Sequence, residues 1–116
     1  MKKKQKFVKD IVMEYQKKMR LQQYDIRVIM MEENVEEEYA MTINSDIVYL
    51  RVYLYIYPVA LESTEAEIRS YVKHELTHVI IEPLVSKLAD NTTPNESKQF
   101  TKDMENAVEH ISRLIC

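Results

Sequence analysis

The sequence contains no glycine and no tryptophan, and its only cysteine is Cys116. Without glycine the chain cannot form the glycine-rich loops that cradle phosphates in dinucleotide-binding and P-loop proteins. A lone cysteine cannot form a disulfide within the chain, so we expect a reducing compartment, the cytoplasm. No apolar run is long enough to cross a membrane, and no apolar stretch of a secretion signal follows the basic N-terminal segment. We therefore expect neither membrane insertion nor export.

The overall composition is that of an ordinary globular domain. The chain has 116 residues, of which 46% are hydrophobic and 30% are charged. This length predicts one domain spanning residues 1–116. The formal net charge of −3 argues against nucleic acid as a partner, and we interpret the lysine cluster within residues 2–6 as a solvated terminal segment. The oligomeric state is left open by these patterns.

Hydrophobic periodicity predicts an α+β fold in which a helix precedes three strands and two helices follow them. Apolar residues recur at helical spacing in the first segment and alternate with polar residues in the next ones. Two capping boxes, at Thr64–Glu67 and Thr93–Glu96, predict helix starts, and Pro83 predicts the end of the first of these helices. We expect the strands to form a mainly antiparallel sheet. The predicted elements are a helix at 4–20, strands at 24–30, 39–43 and 47–57, an acidic connector at 31–38, a turn at 44–46, a helix from 64, a loop at 89–95 and a closing helix from 94.

The motif that carries chemistry is HELTH, residues 74–78, on the predicted helix that begins at Thr64. Residues four apart on a helix lie on the same face, so His74 and His78 can direct their imidazoles at one ion. Zinc suits such a pair. Glu75 lies about 100° around the helix from His74, where its carboxylate can reach a water on that ion. The pattern therefore predicts two zinc ligands and one general base.

A catalytic zinc site usually has three protein ligands, so a third ligand is expected elsewhere in the chain. The metzincin extension needs a glycine and a third histidine soon after the motif, and the segment VIIEPLVSKL has neither. The closing helix offers four candidates. Periodicity places Glu105 on one flank of its apolar stripe, Asp103 and His110 on the other, and Glu109 towards solvent. Periodicity alone does not choose between the flanks.

HELTHVI, followed by a helix that carries MENAVEHISRLI, resembles the gluzincins. The layout of helix, strands, motif helix and closing helix is similar to that of the small zincin-like metallopeptidases of phages and bacteria. The resemblance implies a zincin-like minimal domain in which His74 and His78 are metal ligands, Glu75 is the general base and Glu105 is the third ligand. It also implies zinc-dependent hydrolysis of a peptide or protein substrate whose identity is unknown.

Further expectations concern how a substrate would bind. Tyr71 or a strand tyrosine is a candidate second donor to the oxyanion, and the strand IVYLRVYLYIY, residues 47–57, is a candidate edge for an extended peptide. Peptide deformylase also uses the HExxH motif, but its cysteine ligand precedes the motif, whereas Cys116 follows it. Two alternatives are a zinc-binding interaction module without turnover and a metal-free helical adaptor.

Overall fold

The computed structural model describes residues 2–35, 39–46, 48–89 and 94–114, with side chains for 3–35, 39–46, 48–83 and 101–114. Within these ranges the protein has an α+β fold of four helices and three strands, which confirms the predicted fold class. The elements are α1 Lys2–Lys18, β1 Asp25–Met30, β2 Met41–Asp46, β3 Arg51–Ile56, α2 Pro58–Leu61, α3 Glu65–Ala89 and α4 Pro94–Leu114. No helix in the described part of the chain is both long and apolar enough to span a membrane.

The sheet is mixed, with the strand order β1-β3-β2. β3 pairs in parallel with β1 and antiparallel with β2. The prediction of a mainly antiparallel sheet was therefore wrong for one of its two pairings. Strand periodicity shows which face of a strand is buried, but it carries no information about which neighbour the strand pairs with.

The turn between β2 and β3 lies later than predicted. β2 continues through the predicted turn at 44–46, and the Asp46 carboxylate accepts hydrogen bonds from the backbone N–H groups of Val48 and Tyr49, at 3.1 and 3.2 Å. Leu50 then adopts a φ of 55°, a conformation that glycine takes more readily. Val48 and Leu50 are therefore exposed in the turn, and the predicted strand at 47–57 is shortened to Arg51–Ile56.

The core forms between the aliphatic face of β3 and two helices. Val52, Leu54 and Ile56 are fully buried, as the alternation predicts. They pack in one cluster with α1 and α3 residues that share helical spacing, namely Val8, Ile11, Val12, Ile68, Val72, Leu76 and Val79. Full burial of such a side chain stabilises the fold by about 1.5–3 kcal/mol. This cluster fixes the face that α3 turns towards the sheet.

Helix α3 begins as predicted but does not end at Pro83. Its capping box is formed: the Glu67 N–H donates to Thr64 Oγ1 at 3.2 Å, and the Thr64 N–H donates to Glu67 Oε1 at 3.1 Å. The helix continues through Pro83 to Ala89. Because proline has no N–H, the Val79 carbonyl loses its helical hydrogen bond at this turn.

Several predictions lie wholly or partly outside the described residues. The acidic connector at 31–38 and the loop at 89–95 each include residues that the structure does not describe, and so does the second capping box. Cys116 is also outside them. Helix α4 begins at Pro94, in agreement with the prediction.

Candidate metal centre

Helix α3 presents His74 and His78 side by side at the wall of a cleft. Their ring centroids are 5.2 Å apart, with an angle of 69° between the ring planes. The side chains are 24% and 17% exposed. The neighbouring stripe of α3, which includes Val72 and Leu76, is buried against the sheet. Burial of that stripe orients the adjacent histidine stripe, so the core itself fixes where the two imidazoles point.

Helix α4 brings Glu105 to both imidazoles. Glu105 Oε2 lies 3.4 Å from His74 Nε2, and Glu105 Oε1 lies 3.3 Å from His78 Nε2. Ligand atoms of the three residues all lie within 4.8 Å of one another. The structure thus places together the two histidines predicted from spacing and the acid assigned by the family resemblance. Glu105 is the most exposed of the three, at 48%.

The donor set fits a zinc ion. Two imidazole nitrogens and a carboxylate are common zinc ligands, with bond lengths of about 2.0–2.2 Å. In a tetrahedron with such bonds the ligand atoms are about 3.3–3.6 Å apart. The distances from Glu105 to His74 and His78, 3.4 and 3.3 Å, are of that size but end on different oxygens of the carboxylate. The ligand atoms of the three residues lie within 4.8 Å of one another, so binding one ion requires Glu105 to turn one oxygen towards both imidazoles. Three protein ligands also leave a fourth position open, which is the pattern of catalytic rather than structural zinc sites.

Glu109 holds the outer nitrogen of His74, a role that sequence periodicity did not indicate. Glu109 Oε2 lies 2.8 Å from His74 Nδ1. The hydrogen bond from His74 lowers the pKa of Glu109, and a second bond from Arg113 Nε, at 3.2 Å, acts in the same direction. An ionised carboxylate accepts hydrogen bonds, so His74 Nδ1–H is the donor, and Nε2 is the ring nitrogen on the side of Glu105.

The prediction that Glu109 points to solvent was wrong. Glu105 and Glu109 are four residues apart on α4, as His74 and His78 are on α3. Both acids therefore lie on one face of α4, the face that meets the histidines. This matched spacing in the two helices was the signal available in the sequence. The other candidates for the third ligand, Asp103 and His110, are exposed and are not part of the cluster.

Glu75 stands beside the cluster in a partly buried position. Burial raises the pKa of its carboxyl to about 7; the nearby His74 acts against this rise, and the charge of Glu105 adds to it. A carboxyl with a pKa near neutrality can both accept and release a proton at physiological pH. The same burial lowers the pKa of His78, with Glu105 opposing the shift. His78 is therefore neutral at pH 7, the form in which an imidazole binds a metal.

The cluster lines a cleft that has two lobes. The larger, which we call the acidic lobe, has a volume of about 630 Å³, and besides the cluster it is lined by β2, Tyr39, Glu75, Glu82 and Thr101. The smaller, which we call the tyrosine lobe, has a volume of about 340 Å³. It is lined by Tyr39, Ala40, Met41, Tyr71, His74 and Glu75. Because His74 and Glu75 line both lobes, a ligand that crosses the cluster would reach into each.

The strand that borders the cleft is β2, and not β3 as predicted. β3 is central and is hydrogen-bonded on both sides, so it offers no free edge. β2 contributes Thr42, Ile43, Asn44 and Ser45 to the acidic lobe. Among the strands that the structure describes, none pairs with its outer edge. The backbone N–H and C=O groups of that edge can therefore bind an extended peptide.

The candidate oxyanion donors differ in position. The hydroxyl of Tyr71 donates to Glu67 Oε2 at 3.3 Å, one turn away from the cluster. The tyrosines of β3 line neither lobe, whereas Tyr39 lines both. Tyr39 is therefore the strand-associated tyrosine best placed to donate to a substrate.

Comparison with protein families, with curated proteins and with solved structures found no match. The assignment of roles within the cleft consequently depends on the residues and their geometry alone.

Proposed function

We propose that the protein is a zinc-dependent peptidase whose ion is held by His74, His78 and Glu105. The observation that carries this proposal is the convergence of three ligand groups from two helices, with Glu75 beside them at a pKa of about 7. When bound, zinc activates a water and polarises a carbonyl group. A cleft that leaves room beside this cluster is what such a reaction needs.

The chain's own residues divide the remaining work. Glu75, which is largely buried beside the cluster, accepts a proton from the attacking water and delivers it to the amine that leaves. Glu109 holds His74 in the tautomer that turns Nε2 inwards. The outer edge of β2 aligns an extended peptide along the cleft.

The proposal is tested by combining metal analysis with a peptide digestion screen. We expect the purified protein to bind one zinc per chain and to cleave a diverse peptide mixture, with the products identified by mass spectrometry. Glu75→Gln should keep the zinc and lower the cleavage rate by about 10²–10⁴-fold, the usual contribution of a general base. Glu65→Gln, a change of the same kind at an exposed position at the start of α3, is the matched control and should leave the rate unchanged.

The alternative function is a zinc-binding interaction module without turnover. The exposure of Glu105, at 48%, favours it, because a partner protein can approach a ligand that open. A module would bind zinc, and replacing Glu75 with glutamine would leave its function unchanged. Cleavage that depends on Glu75 would exclude the module.

A further inference from the structure

The acidic lobe contains one carboxylate that has no part in the proposed reaction. Glu82 lines this lobe together with the metal cluster. It follows His78 by four residues on α3, as His78 follows His74, so the three side chains form one stripe along the cleft. A spacing of four residues places Glu82 about 6 Å further along the helix axis than His78.

Glu82 faces the cleft and is only half-buried. Its charge raises the pKa of His78, as the smallest of the influences on that group, so the carboxylate lies within electrostatic range of the cluster. It is not one of the residues whose ligand atoms converge in the candidate metal centre. Glu82 is thus close enough to contact a molecule bound at the centre without being part of the centre.

The described side chains around Glu82 carry an excess of negative charge. The described residues that line the acidic lobe include the carboxylates of Glu75, Glu82 and Glu105 but no lysine or arginine. In the proposed reaction Glu105 is a metal ligand and Glu75 moves a proton. The salt bridges between described side chains do not include Glu82. Among the described side chains, therefore, no lysine or arginine neutralises its negative charge.

The part of this lobe that β2 lines is mixed. Asn44 and Ser45 add polar groups beside Met41 and Ile43, and Thr42 Oγ1 is hydrogen-bonded to the Tyr57 hydroxyl. The tyrosine lobe, which shares His74 and Glu75 with the acidic lobe, has more apolar walls, made by Ala40, Met41 and two tyrosines. The two lobes thus favour different side chains of one extended substrate.

We propose that Glu82 selects a lysine or arginine side chain of the substrate, which binds in the acidic lobe beside the metal centre. The inference rests on the proposed function, since it concerns the substrate of that same site. A carboxylate and a cationic side chain form a charge-assisted hydrogen bond, which is stronger than one between neutral groups. In this account Glu82 determines specificity and takes no part in bond cleavage.

The test uses binding, so that it does not depend on turnover. The probes are fluorescent peptides in which each position in turn carries lysine or acetyl-lysine, of which only lysine is positively charged. They are titrated against the zinc-loaded full chain carrying Glu75→Gln, and the dissociation constant is read from fluorescence anisotropy. We expect lysine at one position to bind about 10-fold more tightly than acetyl-lysine, the usual effect of a hydrogen bond to a charged group.

Adding Glu82→Gln should remove this preference, and Glu82→Lys should replace it with a preference for glutamate at the same position. Glu65→Gln, which lowers the negative charge by the same amount at an exposed position away from the cleft, should leave the preference intact. Zinc affinity in Glu82→Gln should stay within about 3-fold of the parent protein, because Glu82 is not a ligand and acts on the ion only through its charge.

The proposal is overturned if the preference for lysine survives in Glu82→Gln. It is also overturned if no peptide shows such a preference, if none binds, or if Glu82→Gln loses zinc. Failure of the hydrolase proposal would give a different set of results. In that case the unmutated protein cleaves no peptide, while the charge preference in binding is present and depends on Glu82.

Discussion

The two helices that meet at the candidate metal centre hold their side chains in different ways. On α3, the histidines stand next to a stripe that is fully buried against the sheet, and they are 24% and 17% exposed. On α4, Glu105 and Glu109 are 48% and 42% exposed. The core determines the position of the histidines, whereas the acids are positioned mainly by their contacts with the histidines.

This difference shows which half of the site is already arranged for metal binding before an ion binds. Fixed imidazoles need little rearrangement to bind an ion, but a half-exposed carboxylate loses conformational freedom when it does so. We therefore expect the α3 half to contribute most of the metal affinity. The α4 half should contribute less and should become more ordered when the ion binds, because binding free energy is coupled to folding.

The largest effect is expected for His78→Ala. This change removes a direct ligand from the preorganised half, and zinc affinity should fall by more than about 100-fold, since even the loss of an outer partner costs about 10–100-fold. Competition with a chromogenic zinc chelator measures the affinity. A His110→Ala control should have no effect, because His110 is exposed and outside the cluster. Unchanged affinity in His78→Ala would show that α3 is not the dominant half.

Glu105→Gln should weaken zinc binding by about 100-fold, less than His78→Ala, because the amide retains a neutral oxygen ligand. Asp103→Asn, which removes the same charge from an exposed position outside the cluster, is the matched control. Both variants are measured by the same competition assay. Equal losses in the two variants would mean that general negative charge on α4, and not coordination by Glu105, attracts the ion.

Glu75→Gln should change how the stability of the metal-free protein depends on pH. Since burial raises the folded-state pKa of Glu75 to about 7 from 4.5, its protonated form stabilises the fold. This contribution is fully present below about pH 4.5 and is lost as the pH rises through about 7. At about pH 8 the glutamine variant should be more stable than the parent by about 3 kcal/mol, with no such gain at about pH 4.

Urea denaturation at both pH values measures this difference in the free energy of unfolding. Because the two proteins differ only at position 75, the difference between them separates the contribution of Glu75 from those of other groups that titrate in the same pH range. An equal effect of the substitution at both pH values would show that Glu75 is not desolvated in the folded state.

The smallest effect is expected for Glu109→Gln. The glutamine can still accept the hydrogen bond from His74 Nδ1 but lacks the charge, so zinc affinity should fall by about 10-fold. Arg113→Ala removes the other partner of Glu109 at an exposed position and should change the affinity by less than about 3-fold. A larger loss in Arg113→Ala than in Glu109→Gln would contradict the role given to Glu109.

The α3 half of the site could be predicted from the sequence because it depends on local geometry alone. The spacing of His74 and His78 on one helix determines that they share a face, whatever the rest of the fold. Placing Glu105 required the family resemblance, since the relation of α4 to α3 is a tertiary property. Glu109 was missed for the same reason: periodicity measured its distance from the apolar stripe and not its distance from α3.

The fold shows the same division between local features, which could be predicted, and tertiary features, which could not. The buried face of β3 and the capping box at Thr64 were predicted correctly, since both are determined by residues close in sequence. The parallel pairing of β1 with β3 and the passage of α3 through Pro83 were not. The strand pairing depends on segments that are distant in sequence, and the passage of α3 through Pro83 runs against the local preference of proline.

The most direct test of the metal centre is a crystal structure of the zinc-loaded protein with anomalous diffraction recorded on both sides of the zinc absorption edge. We predict one strong peak per chain, within about 2.0–2.2 Å of Nε2 of His74, Nε2 of His78 and a carboxylate oxygen of Glu105. A peak that lacks either histidine, or no peak in the cleft at saturating zinc, would contradict the account.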